Sequence, residues 1–109
     1  MNTLKIKAFC FTMRKITRDA HYAFMNRQNF KRDNTEVRQH DEVSASLYLH
    51  GNEIAWMDAN GIFINHCGWA TSTTKERLNN LCGITIHQHD FQWFVDGKRW
   101  DGSTLRIGN

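Results

Sequence analysis

From Val43 onward apolar and polar side chains alternate with a period of two, with Val43, Ala45, Leu47 and Leu49 on one side and Ser44, Ser46, Tyr48 and His50 on the other. That pattern predicts a strand with one buried face. His50-Gly51-Asn52 predicts a turn, Glu53 to Met57 a second strand with Ile54 and Trp56 on one face, and Asp58-Ala59-Asn60-Gly61 another turn. Ile62 to His66 makes a third strand, and Thr35 to Arg38 a short one ahead of all three. Short connections make these an antiparallel meander whose apolar face needs a cover.

Helical spacing appears twice. Ile16, Ala20, Ala23 and Phe24 recur at three to four residues, which predicts a helix from about Arg18 to Arg27 with Thr17 as N-cap and Arg18, His21, Tyr22 and Arg27 facing outward. The polar run Asn26 to Asn34, with Phe30 as its one apolar anchor, reads as a loop. The second helix is the better delimited. Within Cys67–Gly83, Thr73 and Glu76 have capping-box spacing, Leu78 and Leu81 share a face, and Gly83 supplies a stop, which gives about ten residues with Trp69 as anchor. Cys82 falls beside the two leucines.

Beyond Gly83, Ile84 and Ile86 alternate with Thr85 and His87, and Phe91 to Val95 continue the pattern up to the Asp96-Gly97 turn signal. Phe91, Trp93 and Val95 are expected on the core face, with Gln92 and Phe94 on the other. Lys98 to Trp100 returns, and Asp101-Gly102 precedes a last strand through Leu105 and Ile107. The expectation is an α+β fold: one small domain over residues 16–109, an antiparallel sheet built as a meander plus a C-terminal hairpin, packed with two short helices. Residues 1–15, partly alternating at Leu4, Ile6 and Ala8, read as an N-terminal extension or edge strand.

Composition narrows the class. A chain of 109 residues with 40% apolar content and four Trp, seven Phe and two Tyr can bury an aromatic-rich core without a metal or disulfide framework. Three cysteines, Cys10, Cys67 and Cys82, form no CxxC pair and would leave one thiol over in a disulfide scaffold, which fits a reducing compartment. No apolar run approaches the roughly 20 residues of a membrane span. Charge is uneven. Six Lys or Arg against one Asp between Arg14 and Arg32 give +5, leaving −2 for the rest of a chain whose formal charge is +3. Such a segment suits phosphate or acidic-protein contacts, and equally the solvated face of a helix.

Candidate chemistry is sparse. His66, Cys67, His87 and His89 are zinc-type ligands, but only His87 and His89 share a strand face, so no metal or cofactor is expected. Cys67 and Cys82 are expected to be buried structural thiols, and a Cys–His nucleophile is not favoured because a helix C-terminus raises a thiol pKa. No Gly-rich phosphate loop, nucleophile elbow or carboxylate pair is visible, and an enzyme is not expected. Arg77 is expected to pair with an acidic group across the helix entry or the sheet.

Four strings carry a resemblance: Asn34-Thr35-Glu36-Val37; Leu49-His50-Gly51-Asn52-x-Ile54-Ala55; Gly68-Trp69-x-x-x-Thr73-Thr74-Lys75-Glu76-Arg77-Leu78-Asn79; and Trp100-Asp101-Gly102. From about Ile16 to its end the chain resembles a family of small bacteriophage accessory proteins of unknown function. The resemblance implies a phage gene product acting in the host bacterial cytoplasm. Residues 1–12 precede the similar part, which makes Met13 a candidate functional start, and His66-Cys67 departs from the family pattern.

Two functions follow as expectations. The first is a non-catalytic binding protein that modulates or inhibits a host macromolecule, such as a component of a bacterial defence system, through Tyr48, Phe94 and the basic segment. The second is binding of RNA or single-stranded DNA through Arg14, Lys15, Arg18, Arg27, Lys31 and Arg32, with Tyr22 or Phe30 stacking. Trp69, Thr73, Glu76, Arg77 and Leu78 hold that surface in place. A dimer through an exposed sheet edge is open.

Overall fold

The computed structural model describes residues 13–109. The extension or edge strand expected over residues 1–15 therefore lies outside them, except for Met13 to Lys15, and Lys15 already opens the first helix. The order is α1 (Lys15–Met25), β1 (Phe30–Arg32), β2 (Thr35–Gln39), β3 (Ala45–Leu49), β4 (Asn52–Asp58), β5 (Gly61–Ile64), α2 (Ser72–Leu78), a 3-10 turn (Leu81–Gly83), β6 (Ile86–His89), β7 (Gln92–Val95), β8 (Lys98–Trp100) and β9 (Leu105–Gly108). All pairings are antiparallel, in a six-stranded sheet β1-β2-β3-β4-β5-β9 and a three-stranded sheet β6-β7-β8. The α+β class and the single domain stand as expected.

The large sheet buries one face. Val37, Ala45, Leu47, Leu49, Ala55, Met57, Ile62 and Ile64 form it, and α1 covers it with Ala20, Ala23 and Phe24. Leu78 and Leu81 add to the same core from α2 and the turn beyond it, both with no exposure. A bulge in β4 corrects the expected pairing of Ile54 with Trp56. Leu47 faces Ala55 while Tyr48 faces Glu53, so Ile54 is the extra residue and turns inward beside Ala55. Trp56 turns to the outer face and stacks on Phe63 at 5.7 Å between centroids. Val43, expected in the core, is 56% exposed because the strand begins only at Ala45.

Both helices shift from their expected bounds. α1 starts at Lys15, three residues early, with Arg14 at the N-cap and a Lys15–Asp19 pair across its first turn. Thr17 is buried inside the helix, and its hydroxyl accepts from Arg77 rather than capping. His21, expected outward, is buried. The helix ends with Gln28 N–H on Ala23 O and Arg27 N–H on Phe24 O, with Arg27 at φ 52, a left-handed stop made without glycine.

In α2 the N-cap is Thr71, whose hydroxyl accepts from Thr74 N–H at 3.2 Å, so Thr73 lies inside the helix and the Thr73–Glu76 capping box does not form. The helix has seven residues rather than ten, because the chain leaves it at Asn79 and turns left-handed at Asn80. Phe30 to Arg32, expected as loop, is a strand that hairpins onto β2 through Asp33-Asn34. β9 does not join the C-terminal hairpin; it crosses back to pair with β5.

Candidate functional site

Arg77 ties the two helices to the large sheet. It is 2% exposed, and its guanidinium donates to Thr35 Oγ1 at 2.8 Å, to Thr17 Oγ1 at 3.0 Å and to Glu76 Oε1 at 2.6 Å. A buried guanidinium is tolerated only when its donors are met, and here α1, α2 and β2 each supply an acceptor. His21 closes the arrangement by donating Nε2–H to Arg77 O at 2.6 Å. Arg77 thus finds its acidic partner next door in sequence, and Leu78 is core.

The basic segment is partly neutralised. Arg14 meets Glu76 at 3.4 Å, while Lys15 and Arg32 share Asp19, each at 3.0 Å. Those two hydrogen bonds hold the Asp19 carboxyl below its usual range. Arg27 ends α1 and donates to Met57 Sδ. Lys31 stands opposite Glu36 across the β1–β2 pair. Among the described residues Arg18 and Lys31 make no ion pair. Tyr22 is 65% exposed, while Phe30 packs partly into the core with Arg32 over its ring. The cations therefore lie along α1 and the β1–β2 edge, most of them engaged with neighbours.

The expected aromatic contacts also have neighbours. Tyr48 is half-buried under the Arg38 guanidinium, 4.7 Å from the ring centre, and Phe94 is half-buried against His87 in a parallel stack at 5.0 Å. Trp69, expected as an anchor, is 56% exposed and lines a small depression of about 220 Å³ with Leu49, Ile54 and Thr74. Cys67 and Cys82, expected to be buried, are both exposed, each in a turn at positive φ rather than on the core face of a helix or strand. Partial burial, then the Glu53 charge, push the Cys67 thiol up, which keeps it protonated. The four metal-type residues do not converge: His66 lies on tryptophans, His87 on Phe94, and His89 beside Asp90. Among the described residues no cluster of three or more His, Cys, Asp or Glu is arranged to hold a metal ion.

A cleft of about 630 Å³ instead forms where the small sheet meets the segments on either side of it. Its wall is aromatic. Trp93 and Trp100 pair across β7 and β8 with ring centres 6.0 Å apart, and His66 stands edge-on to Trp93 at 5.6 Å. Gly102 makes this possible, because it sits at φ 91 and a Cβ there would overlap the His66 ring. His66 N–H donates to Gly102 O at 2.9 Å.

Phe91 stands at the same cleft and is 94% exposed. It corrects the expectation that Phe91 continues the core face of β7: His89 pairs with Gln92, so Asp90 and Phe91 are the two turn residues. The same left-handed pair of conformations occurs at His50-Gly51 and Asp96-Gly97, where glycine takes the second place. Phe91 adopts it at φ 66, at a cost of about 1–2 kcal/mol for a side chain with Cβ. The signal was present in the sequence: the core face shared by Ile86, Trp93 and Val95 leaves two residues for the turn when the strands are folded back on each other.

A small α+β domain with an aromatic cleft is the class this geometry defines. The chain belongs to the Kyanoviridae Gp96 protein family, a phage family whose model matches residues 13–108. No curated protein and no solved structure matches it. No helix among the described residues is long and apolar enough to cross a membrane.

Proposed function

We propose that this phage protein is a non-catalytic binding protein that modulates or inhibits a host macromolecule, a bacterial defence system being the target class of first choice. The observation that carries the reading is Phe91: a large apolar side chain held 94% exposed, in a turn conformation that disfavours it, beside an aromatic cleft. Strain and exposure are both costly to the free protein, and buried aromatic anchors dominate the energetics of interfaces. Capture from nuclease-treated host lysate tests it. Wild-type protein is expected to retain a defined host protein, and Phe91→Ala, folded as judged by its melting transition, to lose it at least tenfold. Failure of the wild type to retain any host protein overturns the reading.

Direct nucleic-acid binding through the basic segment is the second reading, supported by Arg18 and Lys31. The ion pairs of Arg14, Lys15 and Arg32 weigh against it. Absence of binding to a mixed RNA and single-stranded DNA pool at low salt would remove it.

A further inference from the structure

We infer that the depression beside Trp69 is a binding site for one neutral sugar ring, an assignment that goes beyond the macromolecular reading and uses no residue of the aromatic cleft. The depression lies where the tip of the β3–β4 hairpin meets the start of α2, and its volume is about 220 Å³. That is below the roughly 300–1,000 Å³ of sites for drug-sized molecules, so it suits a single small ring.

The strand register decides which side chains point into it. Leu49 pairs directly with Asn52, so these two side chains share one face of the sheet. It is the face that the helices cover, where Leu49 and Ile54 are 3% and 1% exposed and form an apolar floor. Asn52 projects from the same face at its rim and is half-buried. Across from it, α2 brings Thr71, Thr73 and Thr74 to the depression, and Trp69 stands two residues ahead of the N-cap, 56% exposed.

Some of the polar groups are already engaged. Thr71 Oγ1 accepts from Thr74 N–H, the two hydroxyls are 3.1 Å apart, and His50 Nε2 lies against the Asn34 amide nitrogen. Among the described residues, the side chains of Asn52, Thr73 and Trp69 make no hydrogen bond within the protein, and none of their polar atoms is buried without a partner.

These three side chains, and the absence of charge around them, specify the ligand. No Lys, Arg, Asp or Glu lines the depression, so nothing there offsets the desolvation of a charged ligand. The Asn52 amide and the Thr73 hydroxyl each donate and accept, and they stand on opposite walls, one on the hairpin and one on α2. Hydroxyls spaced around the rim of a pyranose also do both, and they reach both walls from one ring. The Trp69 indole carries negative potential on its face, which attracts the weakly positive C–H hydrogens on the flat side of the same ring. A purely apolar ring would leave Asn52 and Thr73 unused.

Titrations into the full chain are read from the Trp69 indole N–H resonance, identified by its loss in Trp69→Phe. Glucose and galactose are added, each beside an oligosaccharide that contains it, maltotriose and lactose, with cyclohexanol and thymidine as ring controls. At least one sugar is expected to shift the resonance saturably with a Kd of about 1–10 mM, and both controls to bind at least about fivefold more weakly. Asn52→Ala, whose melting transition is expected to match the wild type because Asn52 bonds nothing in the fold, is expected to weaken that sugar at least about fivefold. Tighter binding of the oligosaccharide than of its monosaccharide assigns a glycan as the source, and equal binding a free sugar. No saturable shift by any sugar at about 100 mM, equal binding of either control, or unchanged sugar affinity in folded Asn52→Ala overturns the assignment. Phe91→Ala is expected to bind the sugar unchanged, so these titrations and lysate capture succeed or fail separately.

Discussion

His21 shows how a single side chain sets a property of the whole fold. Its ring is 8% exposed and donates to the Arg77 carbonyl. Burial holds its pKa below the ordinary 6.5; the Arg77 carbonyl works against that shift, and the Arg77 charge adds to it. The unfolded chain therefore takes up a proton on His21 at a pH where the folded chain still refuses it. Stability from this group is complete above the unfolded value of about 6.5, falls as pH drops below it, and levels off beneath the folded value. Urea unfolding is accordingly expected to show a lower midpoint at about pH 5.5 than at about pH 7.5, and His21→Gln, which keeps a donor for Arg77 O, to flatten that difference. The carboxylates whose pKa is lowered, Asp19, Glu36, Asp41 and Asp101, lose their contribution only as pH falls below their ordinary values near 4, so the two windows separate.

At the scale of elements, the β6–β7 hairpin gives up stability at its tip. Phe91→Gly is expected to stabilise the fold by about 1 kcal/mol, read from thermal or urea unfolding, while abolishing capture of the host partner. A loss of stability instead would mean that the ring is packed in solution. Elements whose period spans five or more residues were legible from sequence, as β3 shows with Ala45, Leu47 and Leu49. What escaped was set by partners distant in the chain. Thr17 reads as a cap because its hydroxyl can serve its own helix, and only the approach of Arg77, sixty residues on, claims it. The Ile54 bulge depends on register with β3, and Phe30–Arg32 is too short to show a period at all. The cleft escaped for the same reason. His66 and Gly102 are ordinary residues in turns until the chain brings them together.

For the molecule as a whole, the Cα radius of gyration of 13.5 Å is that of a single domain of about 100 residues. The edges of the large sheet are β1 and β9, and both carry cations, Lys31 and Arg32 on one and Arg106 on the other, which discourages edge-to-edge association. Deleting residues 104–109 is expected to bare β5 and lower the melting temperature, with aggregates appearing on size exclusion. An unchanged melting temperature would show that β9 adds nothing to the cooperative unit. The pairing of β9 with β5 also has a kinetic meaning. Ile64 faces Leu105, so joining them closes a loop of about forty residues, whereas β3–β4 and β7–β8 close loops of two. On chain-entropy grounds that closure costs about 2–3 kcal/mol more than a tight hairpin, so the meander and the small sheet form early and the β5–β9 seam forms last. Ser103, Thr104 and Leu105, which line the cleft, lie at that seam. The cleft is the part of the molecule that appears latest during folding, and a refolding chain reports its completion by the arrival of tryptophan fluorescence at its native value.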